Sequence, residues 1–539
     1  MARKRRTTAL LAVASAIVVL GAGVTAAAPL GGRGGDWPTW QKDLSGSRHN
    51  AAERRLTPRN VDGLRLKWAF AYPRTDSPLP VRSQPAVVGG TVYFGGPDGK
   101  FYARDAKTGQ ERWSFDLGAV DPGAKPRPAV PWDGPSVSGG KVYFGDVRGY
   151  VYALEQRTGR LVWAKDIDTH GAGTVTSSPL VHDGRVYVGI SSGENSLNSP
   201  DGTSDDPNYP CCTFRGHLDA LDAETGELVW RHYTVPEPQA VGTWPSGATR
   251  YEPSGAGVWS SPVIDPRSGT LYVGTGQLYT GTTGDFDTLL ALDHRTGAVK
   301  WRNQVTRADT WRLLCNQPNQ EGYCPGLQDG SALDYDIGAT PNLFSVNGRA
   351  LVGVGQKLGV YHVFDATTGE VVWRRQLGLP IPGSGFGGIQ WGSSFDGHRL
   401  YIATYFADPG KVFALDPADG DVLWETPNPA DGCTTGGAAE HPDLCTLAHG
   451  PGVTSSPGVV YEGSNDGKLR AYSARDGQVL WTYDTLRDFT GVNGLPGRGG
   501  AIGGTGGGAV VSDGMVYVQA GYWPTYPNPH GSVLLAFGL

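Results

Sequence analysis

No Cys-x-x-Cys pair and no Cys-x-x-Cys-His occurs in the 539 residues, so the chain carries neither a thiolate zinc site nor a haem-attachment motif. Beyond the N-terminal region no apolar run reaches the length of a membrane-spanning helix. Charge is sparse and mixed: 18% of residues are charged and the formal net charge is -6, with no basic stripe. That balance excludes a nucleic-acid footprint and leaves a small molecule, a polymer or another protein as partner. Few segments show helical periodicity.

At the N-terminus, "MARKRRTTALLAVASAIVVLGAGVTAAAPL" combines a basic cluster, an apolar run from Ala9 to Val24 and small residues before Ala28. The run is short for a span, and the pattern predicts a secretory signal over residues 1–28. The mature protein is then expected outside the cytoplasm, secreted or in the cell envelope, where thiols oxidise. The six cysteines are placed locally, Cys211 beside Cys212, Cys315 near Cys324 and Cys433 near Cys445, and read as disulfides.

What is abundant is glycine (81) and proline (39), which suits many short strands joined by turns. A repeat explains them. "ARDAKTGQERW" (103–113), "ALEQRTGRLVW" (153–163), "ALDAETGELVW" (220–230), "ALDHRTGAVKW" (291–301), "VFDATTGEVVW" (363–373), "ALDPADGDVLW" (414–424) and "AYSARDGQVLW" (471–481) share one pattern. Each is a strand end, an Asp/Thr-Gly turn and a strand ending in Trp, preceded by two further short strands. Such a four-stranded unit cannot bury both faces alone, so neighbours stack around an axis. Trp68 in "LRLKWAF" lacks preceding strands, and the C-terminal segment supplies three strands without a Trp strand. The two ends complete each other. The predicted fold is all-β, an eight-bladed propeller of four-stranded antiparallel blades over 36–539, closed by the N-terminal strand, with the repeated Trp residues packing between blades.

Strand direction alternates within a blade, so the segment entering each inner strand and the loop after the second strand share one face. That geometry gathers Arg82, Thr176, Glu194, Trp259, Gln277, Asp336, Lys357, Gln390 and Trp391 on one side, with Cys211 and Cys212 in a long loop of the same face. The longer loops also lie there, whereas the other face carries tight turns. Binding is expected where long loops sit on a rigid ring.

These residues resemble those of the pyrroloquinoline-quinone (PQQ) dependent alcohol dehydrogenases, whose blades carry the A-x-D-x-x-T-G-x-x-x-W pattern. "YPCCTFRG", "CPGLQDGSALDYDIGATPNLF" and "GGIQWG" look most like the polyvinyl alcohol dehydrogenase branch. The resemblance implies PQQ over the axis with a calcium ion on Glu194, Gln277 and Asp336. It places Thr176 beside the cofactor, Trp259 as its floor, Lys357 at the quinone oxygens, and Gln390 and Trp391 closing over it. Asp336 is the implied base, with Asp334 two residues away as the alternative. Gln277 stands where the family has Asn, and Arg82 where it tends to have Glu; Arg82 is expected to meet a PQQ carboxylate. Cys211 and Cys212 are expected to be bonded to each other at the cofactor face. The implied reaction is oxidation of an alcohol, including polymeric secondary alcohols, with electrons passed to an external cytochrome or quinone. Two other classes fit the same repeats: a non-enzymatic scaffold in envelope assembly, and a sugar or aldose dehydrogenase, against which the vicinal cysteines argue.

Overall fold

The computed structural model describes residues 35–73, 82–121, 125, 127–196, 206, 208–313, 333–380, 387–405, 409–440, 442–504, 507–521 and 531–539. Eight four-stranded antiparallel sheets follow one another in chain order. Blades 1 to 7 occupy residues 86–116, 136–166, 180–233, 263–304, 342–376, 394–427 and 454–484. Blade 8 joins the strands Val510–Ser512, Met515–Ala520 and Val533–Gly538 to the N-terminal strand Arg65–Ala71 as its outermost member. The ring therefore closes by pairing its two ends, as the unmatched Trp68 predicts.

The repeat motif is an inter-blade fastener. Trp68, Trp113, Trp163, Trp230, Trp301, Trp373 and Trp424 each leave the outer strand of one blade and donate an indole hydrogen bond of 3.0–3.2 Å to a turn carbonyl of the next. Each ring lies across the glycine of that turn. At Gly226 the φ is +73°, and a Cβ would meet Trp163 at 2.7 Å, so backbone conformation and close approach both require glycine. Blade 8 ends without such a turn, and Trp481 instead packs edge-on against Phe537 with ring centroids 5.4 Å apart. The Asp of the motif holds the turn: Asp222 Oδ1 accepts from the backbone N–H groups of Glu224 and Thr225, each at 2.9 Å.

One element carries no repeat signature. Residues 37–50 run beneath the ring and touch every blade in order. Trp37 exchanges two backbone bonds with Val87 of blade 1, and Pro38 accepts from Val137 of blade 2. Blade 3 is reached by a long side-chain contact, Thr39 Oγ1 to the Pro179 carbonyl at 3.5 Å, and Leu44 packs on the apolar cluster between blades 3 and 4. Leu44, Ser45 and Ser47 accept from Ile264, Leu343 and Phe395 of blades 4, 5 and 6. Asn50 donates to Ser455 of blade 7 through its backbone and to Val511 of blade 8 through its side chain. Arg48, fully buried, fills the centre. Its guanidinium donates to the carbonyls of Val453, Trp40 and Gly452 and to Gln84 Oε1 and Thr454 Oγ1. The strap ties the blades together on the side away from the long loops.

Candidate functional site

Five blades begin alike. The residue four positions before the one that pairs with a conserved-position tyrosine in the second strand is Arg82, Trp132, Thr176, Trp259 or Gln390. Because the blades are arranged radially, all five side chains converge at the axis. They line a cavity of about 240 Å³, joined by Gln277, Asp334, Asp336, Lys357 and Trp391. A larger groove of about 840 Å³ opens at the strap side, among residues such as Leu44, Tyr143 and Leu343, but gathers none of the candidate site residues.

Trp259 forms one wall. Its ring lies over Gly338, where a Cβ would come within 1.7 Å, and it meets Trp391 edge-to-face at 5.1 Å. Its indole N–H donates to Asp336 Oδ2 at 3.1 Å, and Lys357 Nζ stands 5.0 Å from its ring centroid. Lys357 donates to Asp334 Oδ2 and Asp336 Oδ2, both at 2.7 Å. Burial alone would lower the Lys357 pKa, but the two carboxylates outweigh it and hold the ammonium above its ordinary value.

The two aspartates differ in how far they are committed. Asp336 takes hydrogen bonds from Lys357, from Trp259 and, at 2.5 Å, from the Gln277 backbone N–H on its other oxygen. Asp334 takes only Lys357, and its Oδ1 is buried without a hydrogen-bond partner. Burial, and then the neighbouring charge of Asp336, push Asp334 up to about 8 against the pull of Lys357. Trp311 and Trp391, which both line this cavity, have buried indole N–H groups without an acceptor among the described residues. Buried donors of this kind call for a ligand rich in acceptors. Arg82, stacked 4.1 Å over the Trp132 ring, adds a second cation to the wall.

Glu194, Cys211 and Cys212 are not among the residues lining the cavity. Glu194 is fully buried and spends its carboxylate on its own loop, accepting from Tyr209 Oη at 2.6 Å and from the Thr213 and Phe214 N–H groups at 3.0 Å each. Cys211 and Cys212 are bonded to each other, as expected, and are fully buried in a cluster with Tyr209, Phe214 and Tyr279. The hairpin Gln239–Thr243/Thr249–Glu252 covers them, with Trp244 Nε1 donating to the Cys211 carbonyl at 2.8 Å. The vicinal pair thus stiffens the loop that grips Glu194. The Cys433–Cys445 disulfide is also formed; Cys315 and Cys324 lie outside the described residues.

The donor set separates two groups that the family resemblance implies. A flat, acceptor-rich polyanion such as PQQ fits the aromatic wall, the two cations and the unpartnered indole donors. Calcium on Glu194, Gln277 and Asp336 does not fit. Glu194 points into its own loop, and the Gln277 amide bridges Asn195 and Asp336, donating at 2.7 Å to Asp336 Oδ1 when its nitrogen faces the carboxylate. Sequence reading missed Trp132 and Trp311. The position of Trp132 four residues ahead of the blade-2 strand, matching Trp259, is the signal that marks it.

An axial pocket built from blade-entry residues on an eight-bladed, tryptophan-fastened propeller defines the class of quinoprotein dehydrogenase folds. Residues 37–318 match the family described as glucose/ethanol/alcohol dehydrogenase, beta-propeller domain, and residues 357–501 match that of the outer membrane protein assembly factor BamB. The chain is 33% identical to a polyvinylalcohol dehydrogenase of a Pseudomonas species over 90% of its own length and 73% of that protein's. It is 32% identical to the polyvinylalcohol dehydrogenase of Sphingopyxis sp. (strain 113P3) over 91% and 73%. The fold superposes on quinohemoprotein alcohol dehydrogenase ADHIIG from Pseudomonas putida HK5 with a TM-score of 0.66 at 21% identity, covering 94% of this chain and 80% of that one. The chain belongs to the PQQ-dependent alcohol dehydrogenase family and is an oxidoreductase of that class.

Proposed function

We propose that the axial cavity binds PQQ and oxidises secondary alcohols, including the repeating hydroxyls of a polyvinyl-alcohol-like polymer. The observation that carries this reading is the convergence of Trp259, Lys357 and the Asp334/Asp336 pair on one cavity that also presents two unsatisfied indole donors. The polymer is suggested by the two relatives named for it.

PQQ, when bound, would supply the two-electron oxidising equivalent, and Trp259, Lys357, Arg82 and Trp391 are the lining residues that would hold it. Trp259 gives the ring system a flat support, while Trp391, edge-on to it, closes the space where water would otherwise enter. Lys357 would supply positive charge to a group in the cavity that gains electron density on reduction. Asp334 Oδ1 accepts no hydrogen bond and so is the less committed acceptor for the alcohol proton, whereas both oxygens of Asp336 already accept from Lys357, Trp259 or Gln277. These contacts support Asp334, the alternative to Asp336, as the base in this reading, with Asp336 orienting Lys357 and Trp259. A secondary alcohol would leave as a ketone, its hydroxyl proton held on Asp334 and the remaining hydride equivalent matched by the two-electron oxidising capacity of the bound cofactor.

An external cytochrome or quinone takes the electrons onward, and the protein works outside the cytoplasm, in keeping with its disulfides. Among the described residues no helix is long and apolar enough to cross a membrane. A scaffold role would give no use to a buried ammonium, two carboxylates and open indole donors in one cavity. Reconstitution of the purified protein with PQQ and calcium tests the proposal by the absorbance of bound quinone and by alcohol-dependent dye reduction.

A further inference from the structure

Beside Asp336, and outside the residues that line the cavity, two more aspartates are buried. Asp287 stands at the head of the strand Thr288–Asp293, and Asp309 lies in the segment that follows blade 4. Neither lines the cavity, yet one carboxylate oxygen from each lies within 4.8 Å of the other and of Asp336. Asp287 is fully buried, and neither of its oxygens has a hydrogen-bond partner. Asp309 uses Oδ2 to accept from the Tyr335 N–H at 2.9 Å and leaves Oδ1 without a partner.

Charge makes this arrangement hard to leave as it is. Lys357 pairs with Asp334 and Asp336, and among the described residues no Lys, Arg or His stands within 4.0 Å of Asp287 or Asp309. Four buried carboxylates share one ammonium. Buried carboxylates whose charge is not matched call for further positive charge, so the cluster takes up either protons or a metal cation.

Geometry favours the cation. Oxygen ligands at about 2.3–2.6 Å from one ion lie no more than roughly 4.6–5.2 Å apart, and the three carboxylates meet that limit. The donors are all oxygen, with no imidazole or thiolate, which selects a hard cation over zinc or copper. We propose that this protein holds a divalent cation of the calcium class on Asp287, Asp309 and Asp336 rather than on Glu194. Such an ion neutralises the cluster, fixes Asp336 in place and leaves Asp334 as the one carboxylate open to substrate.

Calcium titration of the full-length chain, purified without PQQ and stripped with chelator, tests the site independently of the quinone reading. Isothermal titration is expected to show one calcium per chain. Asp287→Asn and Asp309→Asn, each shown to be folded by near-ultraviolet circular dichroism, are expected to weaken binding at least tenfold, and Glu194→Gln to leave it within a factor of two. A folded wild-type chain that takes up no calcium overturns the proposal and assigns protons to the cluster. Binding that survives the folded Asp287 or Asp309 variant, or that is lost in Glu194→Gln, overturns it equally. Asp309→Asn keeps the test decisive if Asp287→Asn does not fold.

Discussion

Replacing Arg48 by methionine removes the centre of the strap while keeping most of its volume. Three acceptors, the Val453 and Gly452 carbonyls and Gln84 Oε1, lose the guanidinium; the Trp40 carbonyl keeps Gln84 Nε2, and the Thr454 hydroxyl keeps its bond to the Ala509 carbonyl. Each stranded buried acceptor costs about 1–3 kcal/mol. Burial of the guanidinium, which pulls its pKa down to about 9, is a cost that the substitution relieves. Glu462, fully buried and without a hydrogen bond, loses the opposing charge of Arg48 and must stay neutral. The balance is a destabilisation of about 3–5 kcal/mol, in the range seen when one partner of a buried charged network is removed. For a domain larger than 250 residues each kcal/mol moves the melting temperature by no more than roughly 2 °C. Calorimetry is therefore expected to show a lower transition for Arg48→Met, shifted by several degrees and by no more than about 6–10 °C. An unchanged transition would mean that the strap merely lies against the ring and does not bind the blades to one another.

The turn aspartates set the acid limit of stability. At Asp222, Asp293 and Asp365 partial burial acts to raise the pKa but is outweighed by hydrogen bonds from the turn, preceded at Asp365 by one from Arg349, so each is held below its ordinary value. A folded pKa below the unfolded one gives stability that is full above about pH 4 and lost as pH falls further. Asp222→Asn should be less stable than wild type at pH 6, with the gap in melting temperature closing toward pH 2; a constant gap would contradict the assignment. Within the cavity, Asp334→Asn should lower kcat by about 10²–10⁴-fold with PQQ still bound, the range for loss of a general base. Asp336→Asn should loosen Lys357 and Trp259 and so weaken quinone binding as well, and full turnover in the Asp334 variant would move the base to Asp336.

The blades were legible because each carries its own fastener, from the Asp-Thr-Gly turn to the terminal Trp, and Trp68 was readable as the missing piece of the last one. Most of the axial pocket followed, since residues entering an inner strand must meet at the centre. The strap at 37–50 was not legible: it pairs with a different blade every few residues and so has no periodicity of its own. Glu194 turned away from the pocket for a reason no motif carries, the hydroxyl of Tyr209 and two amides of a loop stiffened by Cys211–Cys212. Asp287 and Asp309 look like ordinary loop aspartates in the sequence. Only ring closure buries them beside Asp336.

The central claim is that the axial cavity is a quinone site for alcohol oxidation. Its most direct measurement is the absorbance of PQQ added with calcium to the purified chain, followed after a secondary alcohol is mixed in without any dye. One quinone should bind per chain, with at least tenfold weaker binding in Trp259→Ala, and the oxidised band should bleach once on alcohol addition. A folded protein that leaves PQQ free in solution, or binds it and shows no alcohol-dependent bleaching, would contradict the account.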